Sequence, residues 1–208
     1  HMMNDGYISV LEKISSDSPT PGGGTVAALT LAHAHSLAAM VSRLTIGKNK
    51  WHEGHEISSI IINSIDESLT KSIFLAEADS LAFDRVMDSY RLPKSTDSEI
   101  ELRKLAILES TIGAAQAPLD IANEGLKLLS LLPDLAKFGN LNAITDLAAS
   151  SELAYTAVYI ASLNVKINVD SMNHIELDKI QNNTTITLTN SKEIIMQIRD
   201  IVSRRMQT

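Results

Sequence analysis

The chain predicts an all-α protein. Apolar residues recur at steps of three and four along most of its length, and the stretches that keep this spacing are long. Only Thr184 to Thr189 alternates with the period of a strand. That patch is short and isolated, and reads as an extended connection or as a helix of poor propensity.

The elements follow in order. Ile8, Leu11 and Ile14 mark one face of a short first helix. Ser18-Pro19-Thr20-Pro21-Gly22-Gly23-Gly24-Thr25 then opens into a helix from Thr25 to Leu44. Two prolines stiffen the approach, and the helix start leaves free N–H groups and a positive dipole end at its mouth. Such an end can hold a carboxylate or phosphate, and it can equally be a tight turn capped by Thr25. The spacing matches neither a dinucleotide fingerprint nor a triphosphate loop. From Thr25 through Ser42 there are 18 residues without formal charge, a span that reaches membrane-crossing length. Thr30, His33, His35, Ser36 and the many alanines point instead to a helix that lets its neighbours approach closely.

A third helix is predicted from about Glu53 to Leu92, a fourth from Ser98 to Phe138 with an interruption at Pro118 and a stop at Gly139, and a fifth from Thr145 to Asn168. Ile194, Ile195, Ile198, Ile201 and Val202 mark the face of a last one. The third would be about 60 Å long, whereas a compact chain of this size is about 43 Å across. It must break, near Ser68 to Ser72, or overhang and be covered by a second copy; the overhang is favoured, and with it a homodimer.

The 208 residues suffice for one well-buried domain, and no linker argues for two. A net charge of −7 without a basic cluster argues against a nucleic-acid surface. The lack of cysteine removes disulfides and thiolate chemistry. With no signal peptide in view, a cytoplasmic protein without a membrane association is expected. His1-Met2 ahead of Met3 reads as an expression remnant.

Two carboxylates stand out. Asp79 falls on the apolar stripe Ile61, Ile65, Leu69, Ile73, Ala76, Phe83, Val86, Met87 and Tyr90, whereas Glu77, Asp84 and Asp88 fall on other faces. A carboxylate there is either paired structurally or kept for proton transfer, with burial raising its pKa. Asp146 repeats the pattern beside Ala149, Ser150, Leu153 and Ala157, and is equally a first-turn acid favoured by the dipole. Lys48, in the turn after the second helix, is an anion contact or a solvated helix-stop lysine. The histidines build no metal site: His33 and His35 point apart, and His52-Glu53-Gly54-His55-Glu56 misses the zinc spacing by one. No serine, histidine and acid suggest a triad.

Ser18 to Ala28, Met40 to Lys48, Asp79 to Asp84 with Arg91-Leu92-Pro93-Lys94, Ala117-Pro118-Leu119, Gly139 to Asp146, and Leu163 to Asn168 together resemble the formiminotetrahydrofolate cyclodeaminase and methenyltetrahydrofolate cyclohydrolase family. The likeness runs from about Val10 to Asn168. It implies a cyclodeaminase-like bundle of long helices forming a homodimer, and a tetrahydrofolate derivative, with one or several glutamates, bound near the dimer interface. It implies chemistry on the one-carbon unit between N5 and N10, needing no metal and no cofactor beyond the folate substrate. Asp79 is then the leading acid/base, and Asp146 its partner or a pterin-orienting group. Lys48 and the Pro21, Gly22, Gly23, Gly24, Thr25 turn would hold glutamate carboxylates, and Asn140 would orient the reacting end. Phe83, Tyr90 or Trp51 could stack on the pterin, although Phe83 and Tyr90 also suit core packing. The chain departs from the family at His33 and His35, where small apolar residues are usual, at Thr25 and Thr145 for serine, and at Lys166 for arginine. Lys166, counted with the substrate contacts, gives up bidentate geometry if that arginine binds a carboxylate. A non-catalytic folate-binding dimer is the alternative of another class.

Overall fold

The computed structural model describes residues 6–207; the His1-Met2 remnant lies outside them. The described chain is helical throughout, with α1 (Tyr7–Ile14), α2 (Gly23–Ile46), α3 (His55–Tyr90), α4 (Asp97–Phe138), α5 (Ile144–Val169) and α6 (Ile175–Met206). Short 3₁₀ turns, Asn49–Gly54 and Leu141–Ala143, lead into α3 and α5. No strand occurs among the described residues.

The alanines of α2 explain the architecture. Ala27, Ala28, Ala34 and Ala38 are fully buried, so α3 and α5 can both lie close against α2. Length and composition alone would let α2 cross a membrane, but twelve of its residues are buried inside the bundle. The main core gathers Leu31, Ile121, Leu129, Leu132, Leu147 and Ile198 from α2, α4, α5 and α6 around this helix.

Both α3 and α5 run antiparallel to α2. Gly24 meets Asp79 of α3 at one end, and Thr45 approaches Gly54, just before α3, at the other. On the α5 side Gly23 approaches Ile160, the Ser150 hydroxyl donates to the Ala34 carbonyl at 2.7 Å, and the Asn140 N–H donates to Thr45 Oγ1 at 2.9 Å. These pairings fix a register used below.

One expectation is corrected and two open alternatives are decided. Pro118 does not interrupt the fourth helix: α4 runs through both Pro118 and Pro133. A proline leaves the carbonyl four residues earlier without its N–H, and at Ala114 that carbonyl accepts instead from Asn168 Nδ2 of α5 at 3.2 Å. A capping box, Thr96 with Glu99, starts α4.

Nor does α3 break near Ser68 to Ser72, where the buried Ser72 hydroxyl turns back to the Ser68 carbonyl at 2.9 Å. Its apolar stripe is only partly buried as far as Ala76, and largely emerges beyond it. Ile61 and Ile65 are buried, whereas Ile73, Phe83, Met87 and Tyr90 are exposed, and Ala82 and Ser89 face the bundle in their place. The stripe drifts because a straight helix turns 3.6 residues at a time, and α3 is about 54 Å long.

The alternating threonines lie inside α6, so they form no extended connection. Their inward face reads Ile180, Thr184, Thr187, Ser191, Ile195, Ile198 and Val202, all buried at steps of three and four. Polar residues in the middle of that face disguise it. Thr184 and Ser191 satisfy their hydroxyls on the carbonyls of Ile180 and Thr187, and Thr187 donates to Asn123 of α4 at 2.9 Å.

Candidate functional site at the start of α2

Of the three glycines at the start of α2, Gly24 brings the helix N-terminus against α3. Gly22 is the N-cap residue without a side-chain cap, and the Thr20–Pro21 peptide preceding it is cis. A Cβ on Gly24 would overlap the Asp79 carboxylate, so glycine is what leaves the acid its place there. The carboxylate lies against the Thr25 backbone N–H, one of the donors left open at a helix start, and that N–H favours its charged form. The Thr25 side chain completes the clasp, with its hydroxyl 3.1 Å from the Ala76 carbonyl and 2.7 Å from Ser80 Oγ.

Two effects act on the Asp79 carboxyl in opposite directions. Burial pushes its pKa above the usual carboxylate value, and the Thr25 N–H pulls it back; burial wins. The side chain is half-buried and keeps an outlet to solvent. The neighbouring Thr25 and Ser80, though not Asp79 itself, are part of the lining of an open groove of about 550 Å³ that runs over Pro21, Leu29, Ile73 and Leu81, with Lys13 and Glu77 also in its lining. That is the size of a small-molecule site, largely apolar with a few hydroxyls at one end. Phe83, one turn beyond Asp79, and Tyr90 are exposed rather than packed in the core.

The other predicted site residues lie elsewhere on the chain. By the α2–α5 register, Asp146, in the first turn of α5, lies beside α2 near Ala38, about 21 Å along the axis from Gly24. Lys48 follows the far end of α2, which is about 36 Å long, and its side chain is exposed. Asn140 stands at that same far end, 5% exposed, with every polar group of its side chain directed inward: Nδ2 donates to the Leu44 carbonyl at 3.1 Å and Oδ1 accepts the Asn142 N–H at 2.9 Å. Lys166 is exposed and paired with Asp170 at 2.8 Å. The half-buried Trp51 has Lys50 and Arg205 over its ring at 4.9 and 5.9 Å. One chain therefore joins the glycine turn to Asp79, and leaves Lys48, Asn140 and Asp146 toward the opposite end.

Sequence reasoning missed Ser80. Its neighbour Asp79 carried the signal, but a serine one residue further on an amphipathic helix has no pattern of its own. Among the described residues no three His, Asp or Glu side chains converge as metal ligands would.

A bundle of long helices with a half-buried carboxylate set at a glycine-opened helix start defines a recognisable class. The family model described as formiminotransferase-cyclodeaminase matches residues 7–184, and the chain belongs to that family. It is 35% identical to the methenyltetrahydrofolate cyclohydrolase of Methylorubrum extorquens over 81% of each chain. To the formimidoyltransferase-cyclodeaminase of Mus musculus it is 31% identical over 78% of its own length, and there it spans 30% of that longer protein. The crystal structure of formiminotetrahydrofolate cyclodeaminase from Thermotoga maritima superposes with a TM-score of 0.80, at 25% identity, over 100% of this chain and 98% of the other.

Proposed function

We propose that the protein is a folate one-carbon enzyme that converts 5-formiminotetrahydrofolate to 5,10-methenyltetrahydrofolate and ammonia, with Asp79 as its general acid and base. The observation that carries this reading is the setting of Asp79: a half-buried carboxyl with a raised pKa, facing the Thr25 backbone N–H and next in sequence to Ser80, which with Thr25 lines a ligand-sized groove.

The chemistry asks little else of the protein. N10 of the folate attacks the carbon of the formimino group on N5, which reacts as its protonated amidinium; a C–N10 bond forms as the C=N electron pair moves onto the –NH₂ nitrogen, and the N10 proton passes to the Asp79 carboxylate. The same carboxyl then protonates the amino group of the aminal. The C–N bond to that group breaks, ammonia departs, and the remaining electron pair on N5 or N10 completes the methenyl bridge. A carboxyl with raised pKa serves both transfers, because it is basic enough to accept and acidic enough to return the proton. No metal or redox partner enters any step.

In this reading Gly24 and Thr25 position Asp79, which takes the place at the start of α2 that a ligand carboxylate would otherwise fill. The chain acts as one domain, in the cytoplasm, as a homodimer. The exposed Ile73, Phe74 and Leu81 give α3 an apolar surface for a second copy. A second copy would also be the means of bringing Asp146, as a pterin-orienting group, and Lys48, as a contact for the glutamate tail of one or several residues, to a groove about 21 Å or more away within one chain. Phe83 stacks on the pterin, and Lys166 stands near the groove end of α5. Asn140 holds the fold.

A second reading, methenyltetrahydrofolate cyclohydrolase, is favoured by the 35% identity to a relative of that name covered over 81% of its length. There water attacks the methenyl carbon and the ring opens to 10-formyltetrahydrofolate, with Asp79 taking the water's proton. A paired assay on the purified protein separates the two. The proposal expects 5-formiminotetrahydrofolate to lose ammonia faster than uncatalysed. Acceleration of methenyltetrahydrofolate hydrolysis alone assigns the second reaction, and acceleration of neither leaves a folate-binding dimer.

A further inference from the structure

Halfway along α2, about 16 Å from Gly24, His35 turns its ring between α3 and α4. It is 8% exposed, and its Nε2 is buried without a hydrogen-bond partner among the described residues. Burial and the nearby Lys127 push its pKa down to about 4, so at neutral pH the ring is uncharged, with one nitrogen donating and the other accepting. An unpaired buried nitrogen costs free energy unless something meets it.

His35 lines a cavity of about 260 Å³ whose walls also carry Glu67, Ser68 and Lys71 from α3 and Glu124 and Lys127 from α4. None of those four charged groups is in an ion pair among the described residues. Two cations and two carboxylates thus line one small space unpaired, around a neutral imidazole. A simple anion would meet the lysines but also two carboxylates, and a cation would meet the reverse. A ligand carrying one charge of each sign meets both pairs at once, and the volume lies just below that of sites for drug-sized molecules.

We propose that this cavity binds a small zwitterion of the α-amino acid class, its carboxylate held by Lys71 and Lys127, its ammonium by Glu67 and Glu124, with His35 at the inner wall. The site is separate from the Asp79 groove and does not depend on the reaction assigned there.

The test follows the imidazole resonances of the whole protein by proton–carbon NMR, with the His35 signals identified by their loss in His35→Gln. Glycine and L-glutamate are the probes, acetate and methylamine the single-charge controls, and tetrahydrofolate the control for the other site. Saturable shifts of the His35 signals with glycine or L-glutamate, weakened at least about tenfold in Lys127→Met and in Glu124→Gln, support the proposal. Both variants change exposed or half-buried side chains, so they keep the test open if His35→Gln fails to fold. Absence of any shift at millimolar probe overturns it. Equal shifts with acetate make the cavity an anion site, and shifts with tetrahydrofolate make it part of the folate cleft; either result overturns it too.

Discussion

The two ends of α2 put polar residues to opposite uses. At the start of the helix, Asp79 faces the Thr25 N–H, has a raised pKa and keeps an outlet to solvent, close to a groove lined by Thr25 and Ser80. At the far end most buried polar groups find partners, although Trp51 Nε1 and Ser58 Oγ are buried without one among the described residues. Thr45 Oγ1 donates to the Val41 carbonyl and accepts the Asn140 N–H, Asn140 spans Leu44 and Asn142, and the His55 Nε2–H is shared by the carbonyls of Thr45 and Lys48. Arg205 reaches in from α6 to the carbonyls of Ala136 and Gly139, which α4 leaves open as it stops. A dense set of hydrogen bonds builds a rigid corner, whereas an acid that faces one N–H and stays half-open can exchange a proton. Family resemblance marks both ends alike, and their hydrogen bonds tell them apart.

Four substitutions sharpen the contrast. Gly24→Ala places a methyl where the Asp79 carboxylate lies, and displacing the acid lowers kcat by about 100-fold or more while the helices stay folded by circular dichroism. Asn140→Ala is expected to act on stability instead: two hydrogen bonds vanish and buried partners are left open, costing about 2 kcal/mol in denaturant unfolding, with kcat of the folded protein unchanged. Asp146→Asn lowers turnover about tenfold. Mixing Asp146→Asn with Asp79→Asn protomers and allowing exchange recovers about one quarter of wild-type activity if the groove is shared between copies, since half the dimers then hold one intact site of two. No recovery removes Asp146 from the site. Lys48→Met raises KM a few-fold for a polyglutamylated folate and leaves kcat alone, as loss of an exposed contact to the tail should.

Much of the fold was legible because helical spacing survives any tertiary detail: five long helices and Gly139 as a stop follow from it. What stayed hidden has particular causes. Pro118 reads as a break because nothing near it in sequence announces that Asn168, fifty residues later, takes up the freed carbonyl. The α6 threonines read as alternation because the helix buries Thr184, Thr187 and Ser191 where a pattern search expects leucines. Asp79 was legible as a carboxylate on an apolar stripe. That its partner is the glycine-opened start of α2 was not, since a long-range pairing leaves no periodic trace. Likewise the distance between Asp79 and Asp146 depends on the α2–α5 register, which no single helix encodes.

The account rests on Asp79 as the proton-transfer group, and its direct test is Asp79→Asn measured for turnover, folate binding and stability together. The predicted result is a fall in kcat of about 100-fold or more with folate affinity retained. A second signature has a definite sign. Because folding raises this carboxyl's pKa, its contribution to stability is full below the unfolded-state value and is lost as pH rises through the folded one. The asparagine variant should lose that part of the pH dependence. Unchanged turnover in a variant that still binds folate would contradict the assignment outright.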